Sequence, residues 1–211
     1  HGRPLFGGRP RDHVFTARFK EQAKGAAFVT EPIDRAVLAR LADVAADATA
    51  AFDDYNYARA LEVAESFFWS FTDDYVELVK ERAYRDAGDA GACSAHATLA
   101  TCLSVLHRLF APVLPFVTEE VWSWWQPGSV HRSEWPDAST VRATAGDGDP
   151  AVMQAVTAVL TGVRKAKSDA KVSMRTEVLR ADVRAPGDVV SLVEQARGDL
   201  AAAERIATLD L

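Results

Sequence analysis

Among the 211 residues, the groups with chemistry to offer are an adjacent carboxylate pair, four internal histidines, two cysteines, and 24 lysines and arginines. The pair, Glu119 and Glu120, is adjacent on a helical stretch, so the two side chains diverge and cannot face one another as the carboxylates of a hydrolase do. One of them is expected to pair with Arg108. His13, His96, His107 and His131 lack the i,i+4 spacing of a helical metal site and have no clustered cysteine, so no metal is expected. Cys93 and Cys102 lie in an alanine-rich run and read as small buried thiols rather than a disulfide. Gly146-Asp147-Gly148-Asp149 is too short and too poor in acids for a calcium loop, and reads as a turn. Neither a glycine-rich phosphate loop after a strand nor a G-x-S-x-G elbow is present.

The cations remain, as binding groups. The chain carries 30 acids and a formal charge of -6, but the charge is unevenly spread. Arg3, Arg9, Arg11, Arg18, Lys20 and Lys24 outweigh Asp12 and Glu21 at the start. Arg164, Lys165, Lys167, Lys171, Arg175 and Arg180 outweigh Asp169 and Glu177 later on. Charges in physiological salt act over about 8 Å, so two basic stretches on an acidic body can hold phosphate locally. The plainer alternative is a frayed terminus and a solvated helix face.

The elements that position these groups are mainly helical. With 48% apolar and 26% charged residues the chain forms a core, and no run approaches the ~18 apolar residues that span a bilayer. No secretory signal pattern opens it, so the expected location is the cytoplasm. Glycines and prolines make residues 1–12 a flexible lead. Ile33, Val37, Leu38, Leu41, Val44 and Ala48 recur at three and four and predict a helix over 33–53. Leu61, Ala64, Phe68, Phe71, Tyr75 and Leu78 predict a long helix over 57–85, and a third follows through Leu99 to Phe110. Pro112 and Pro115 interrupt that run before a short helix over 116–125, closed by Trp122, Trp124 and Trp125 as core and rim anchors. Proline and glycine then fill 126–149. Asp149 and Pro150 open another helix, with Val152, Val156, Leu160 and Val163 on one stripe. Leu179 to Arg184 alternate as a strand, a helix follows to about 203, and Ile206 to Leu211 can pair with the strand. The expected organisation is a flexible lead and first helix over 1–30, a helical bundle over 31–136, a linker over 137–149 and a small α/β subdomain over 150–211. The fold class is thus mainly α, a helical bundle followed by a small α+β cap, with no internal repeat.

Phe67 to Arg82 reads FFWSFTDDYVELVKER, and Leu109 to Trp125 reads LFAPVLPFVTEEVWSWW. These segments, followed by Ser129-Val130-His131 and Trp135-Pro136, resemble the anticodon-binding domain of class I aminoacyl-tRNA synthetases, most closely the valyl enzymes of high-GC bacteria. The family patterns are D-x-Y-x-E-x-x-K-x-R, met by Asp73 or Asp74, Tyr75, Glu77, Lys80 and Arg82, and L-x-P-x-x-P-F-x-x-E-E-x-W, met by Leu109, Pro112, Pro115, Phe116, Glu119, Glu120 and Trp122. The segment from Val163, VRKAKSDAKVSMR and then a strand, is similar as well. Two features depart from the family. The N-A-S-[KR]-F-V stretch reads Lys24-Gly25-Ala26-Ala27-Phe28-Val29, without its asparagine or its basic residue. H-I-G-H and K-M-S-K-S have no counterpart, since Lys171-Val172-Ser173-Met174-Arg175 follows the bundle without Rossmann context.

The resemblance implies a module that positions tRNA, with tRNA(Val) and the parent enzyme's catalytic domain as partners, no membrane, and a monomer. It implies no catalytic residue, metal or cofactor in this chain, ATP and magnesium belonging to the catalytic domain. Gripping a stem-loop takes cations for phosphates and flat groups for splayed bases. The candidates are Arg18, Lys20, Lys24, Arg59, Lys80, Arg82, Arg85, Arg164, Lys167 and Lys171, with Trp69 for stacking, Phe67 and Tyr57 also lying off the apolar stripe. Convergence of these cations on one face favours tRNA binding. Scatter favours the alternatives: a free-standing degenerate paralogue acting in protein interaction or non-cognate RNA binding, or the equivalent region of an isoleucyl enzyme.

Overall fold

The computed structural model describes residues 29–86 and 88–211. The predicted lead and first helix, with Arg18, Lys20 and Lys24, lie outside them up to residue 28. At the centre is α1 (Pro32–Asp53), opened by a proline whose missing N–H costs nothing there. Ile33, Leu38, Leu41, Val44 and five alanines between 36 and 48 are buried, leaving little of the helix polar. Such a helix must lie inside, and the alanines let neighbours approach closely.

The long second helix starts as α2 (Tyr57–Ser70), capped by Asn56, which accepts from Arg59 N–H. It continues through a π turn (Phe71–Tyr75) into α3 (Val76–Ala83). Phe67, Phe71, Tyr75 and Val79 are all buried, at a repeated spacing of four. Four residues overshoot a 3.6-residue turn by about 40°, so this stripe would spiral off a straight α-helix. The wider turn, with Val76 N–H donating to Phe71 O, takes up the drift and keeps the rings stacked, 6.1 Å and 5.8 Å apart. Phe67 is therefore the core residue, while Phe68 is only partly buried.

Asp89 caps α4 (Ala90–Phe110), and Pro115 opens α5 (Pro115–Trp125). Trp122 and Trp125 pack with Ala111 and Val130 as a second small core, and Trp124 stays exposed. Residues 137–149, expected as a linker, hold α6 (Ala138–Ala145), which packs along α1 and buries Val141 and Ala145. Proline before it and glycine after it disguise so short a stripe. Gly148 lies against Arg35, where a β-carbon would come within 2.4 Å of the carbonyl oxygen.

Asp137 caps α6 with four bonds: Thr140 and Ser139 hydroxyls at 2.6 and 2.7 Å and their N–H groups at 3.3 and 2.9 Å. The two hydroxyls lead in pulling its carboxyl from 3.8 down to about 2. A depressed carboxyl stabilises the fold above its unfolded pKa and loses that contribution as pH falls through the folded one. Acidification from 3.8 to about 2 should uncap α6. An NMR titration of Asp137 should have its midpoint near the lower value, and Asp137→Ala should abolish the pH dependence of amide exchange in α6.

After α6, α7 (Pro150–Asp169) leads into β1 (Val178–Asp182), then α8 (Gly187–Glu194), α9 (Arg197–Glu204) and β2 (Ile206–Asp210). The helix expected up to residue 203 is thus two, broken at Gln195–Ala196. β1 and β2 pair in parallel, Val178 with Ile206 and Asp182 with Asp210, which requires the α8–α9 crossover. Val152, Val156 and Leu160 of α7, with Val193, Leu200, Ile206 and Leu209, join the core around α1. Bundle and C-terminal unit therefore share one core.

Candidate nucleic-acid interface

Two residues of the first motif, Tyr75 and Arg82, point inward. Tyr75, Leu78, Val79 and Arg82 lie on one side of the helix, and all are buried against α1 and α4. Arg82 Nη1 and Nη2 grip both Asp34 oxygens at 2.8 Å, and Nη1 also reaches Gly91 O at 2.7 Å. Its Nε and Nη2 hold Asp199 of α9 at 3.0 and 2.9 Å. Asp34 further accepts from Tyr75 Oη at 2.7 Å and Ser94 Oγ at 2.6 Å. Burial works against the Arg82 charge, but hydrogen bonds and attraction from Asp34 and Asp199 outweigh it, so its pKa is raised. Burial first, then the Asp34 carboxylate, push the Tyr75 phenol well up. The same two causes push up the Cys102 thiol, as suits a packing residue. Arg82 is therefore no RNA contact: its donors are spent on tying α1, α3, α4 and α9 together.

A second set of expected RNA cations is similarly engaged. Lys167 is buried, its Nζ donating to Glu204 Oε2 at 2.7 Å and to the carbonyls of Glu204 and Met174 at 2.9 and 3.0 Å. Arg164 bridges Glu204 and Asp74, both at 3.1 Å, and donates to Asp73 O. Lys167 is withdrawn from the surface by burial, whereas Arg164 is partly exposed with three of its donors engaged. Asp74 of the first motif thus anchors α7 to the π turn.

The second and third motifs build each other. Glu119 accepts from Ser129 Oγ at 2.9 Å and Val130 N–H at 3.0 Å, so it clamps the loop after α5 and does not pair with Arg108. Arg108 instead donates to the carbonyls of Ser104 and Glu134. His131 donates to Pro115 O, and Trp135 Nε1 to Thr49 Oγ1. His107 Nδ1–H donates to Leu103 O at 2.7 Å beside Trp122 and Trp125, and burial lowers its pKa despite that bond, which favours the neutral ring.

The outer surface is what a ligand meets. Arg59, Lys80 and Arg85 are exposed, each paired one turn away with Glu62, Glu77 and Glu81. Such pairs are worth little and leave little free charge for a phosphate. Lys165, Lys171, Arg175 and Arg184 are exposed and pair with no acidic side chain among the described residues. The described cations thus do not converge as one stripe along the long helix.

Aromatic surface gathers where α1 ends. Tyr55 is 78% exposed, Tyr57 57% and Trp135 38%. Tyr55 lies edge-on to Tyr57, Tyr57 against Phe52, and Phe52 edge-on to Trp135, with centroids 6.5, 5.9 and 5.3 Å apart. Tyr55 and Trp135 were not legible as surface rings, because one follows a helix end and the other sits in a proline-flanked loop. Trp69, 54% exposed, instead rims an apolar groove of about 670 Å³ between α2, α4 and α5, floored by Leu103, Leu106 and Phe110. Among the described residues no three His, Cys, Asp or Glu side chains are grouped to hold a metal ion, and no helix is long and apolar enough to cross a membrane.

Tyr75, Arg82, Glu119 and Trp122 of the motifs thus serve the bundle's own scaffold, while Glu77, Lys80 and Phe116 stay exposed with the surface rings and cations. The chain belongs to the family of anticodon-binding domains of tRNA ligases, whose profile matches residues 34–184. It is 59% identical over 183 residues to a valine–tRNA ligase of Thermobifida fusca, 52% over 174 to that of Cutibacterium acnes and 41% over 208 to that of Bifidobacterium longum. These alignments take in 87%, 82% and 94% of this chain but only 20%, 20% and 23% of the relatives, so the chain spans about a fifth of their length.

Proposed function

We propose that the chain is the tRNA-binding module of a valyl-type ligase, holding the anticodon stem-loop of tRNA(Val) while a catalytic domain of a longer protein attaches valine using ATP. The observation that carries this reading is the 59% identity to a valine–tRNA ligase across 87% of the chain, through both bundle and C-terminal unit. The exposed rings of Tyr55, Tyr57 and Trp135 support it, since unstacked loop bases gain about 1–3 kcal/mol each on such surfaces. No activation step is assigned here: Lys171–Arg175 forms the turn between α7 and β1, and ATP and magnesium belong to the catalytic domain.

Binding of tRNA(Val) and a non-cognate tRNA at two salt concentrations tests the reading. Tight, salt-sensitive binding that favours tRNA(Val) is expected. A folded chain that ignores both tRNAs at low salt overturns it. The apolar groove beside Trp69 favours a second reading, a protein-interaction domain, which that outcome would put first.

A further inference from the structure

The turn leaving α7 and the end of α9 are built alike. Lys171 is left-handed (φ 54°), with Lys171 N–H donating to Ser168 O and Val172 N–H to Lys167 O. This helix ending normally uses glycine, because a β-carbon is strained there. Arg205 ends α9 in the same conformation (φ 53°). Among the described residues only three non-glycines have positive φ, and two are these exposed cations. A cation gains from the carboxyl end of a helix dipole, but the last helical turn would supply that gain without strain.

The two ends are joined. Buried Lys167 donates to Met174 O on one and Glu204 O on the other, and Arg205 Nη1 donates to Arg175 O at 3.2 Å. Lys171, Arg175 and Arg205 therefore share one end of the C-terminal unit, exposed and with no acidic partner among the described residues. Asp169 and Glu177 flank the turn and keep the local excess of positive charge small.

We infer that Lys171, Arg175 and Arg205 form a phosphate-contact patch that grips the sugar–phosphate backbone of RNA. The inference rests on the tRNA-binding reading and places backbone contacts on the C-terminal unit rather than on the long helix. A phosphate ester suits the patch because none of the three cations is neutralised by an acidic side chain among the described residues, and both an ammonium and a guanidinium fork can meet phosphate oxygens on an open surface.

The double variant Lys171→Gly/Arg205→Gly removes two cations where glycine relieves strain, so its Tm should equal or exceed that of the unaltered chain. Binding of a tRNA(Val) transcript from about 50 to 200 mM salt should lose about one unit of log–log slope per cation. Affinity at the low-salt end should fall about tenfold. The triple variant Arg59→Gln/Lys80→Gln/Arg85→Gln should keep the original slope. Unchanged slope and affinity in the double variant, or loss of slope in the triple variant alone, overturns the patch and leaves the tRNA reading standing. An unaltered chain that binds no tRNA at low salt overturns both.

Discussion

Arg82→Ala is expected to lose about 3–5 kcal/mol of stability, against the 5–15 kcal/mol that holds a typical domain. The loss comes from what stays behind. Asp34 is fully buried, and without the guanidinium its carboxylate keeps only Tyr75 and Ser94 as donors. Asp199 loses its hold on α3 as well, so α9 keeps its buried Leu200 but loses its polar tie to the bundle at this end. Arg82→Lys should recover little, because one ammonium cannot make a bidentate bond to Asp34 and reach Asp199 together. Urea denaturation of the two variants gives the numbers. A loss under about 1 kcal/mol for Arg82→Ala would refute the account. Binding per folded molecule separates this role from RNA contact: tRNA affinity corrected for the unfolded fraction should stay unchanged in Arg82→Lys.

Much of the fold is legible in the chain, and the buried cations are hidden there for one physical reason. Periodicity and caps place the helices near 33–53 and 57–85 and a strand near 179–184, but they miss α6 and the break between α8 and α9, and the alternation puts Leu179 on the buried face although it is exposed while Ala181 and Val183 pack on the core. Charge alone points Arg82 and Lys167 outward, whereas their positions on the apolar stripes point inward. Arg82 lies seven residues after Tyr75 and four after Leu78, and Lys167 seven after Leu160 and four after Val163. Asp34 precedes Leu38 by four and Leu41 by seven. A charge on an apolar stripe is a buried partner in waiting. What no local pattern holds is the other half of each pair: Asp199 is 117 positions from Arg82 and Glu204 is 37 from Lys167. Similarly, the π turn is visible only once four consecutive positions of the stripe are known to be buried. Resemblance to the family identified the domain correctly, yet it could not say that Tyr75, Arg82, Glu119 and Trp122 serve the scaffold rather than the ligand.

Glu204→Ala should cost a similar 3–5 kcal/mol, and here the effect extends to the proposed RNA surface. Lys167 would keep two carbonyl acceptors but no countercharge, in a site where its side chain is only 3% exposed. Arg164 would keep Asp74, so the α7–π turn bridge survives and the loss should centre on Lys167. The pair Lys167→Met/Glu204→Leu tests that directly. Replacing both ions with apolar groups removes the stranded charge, and most of the stability should return, by denaturant midpoint at unchanged slope. The double variant nonetheless loses the Nζ bonds that join Met174 to the end of α9, which leaves Arg205 Nη1 to Arg175 O as the side-chain link between the two ends and holds Lys171, Arg175 and Arg205 less firmly together. Stability should therefore recover while the salt dependence of tRNA binding stays reduced. If both recover together, the buried lysine serves packing alone; if binding alone stays weak, its function is to hold three cations without acidic partners, two of them on strained backbone, at one place on the surface.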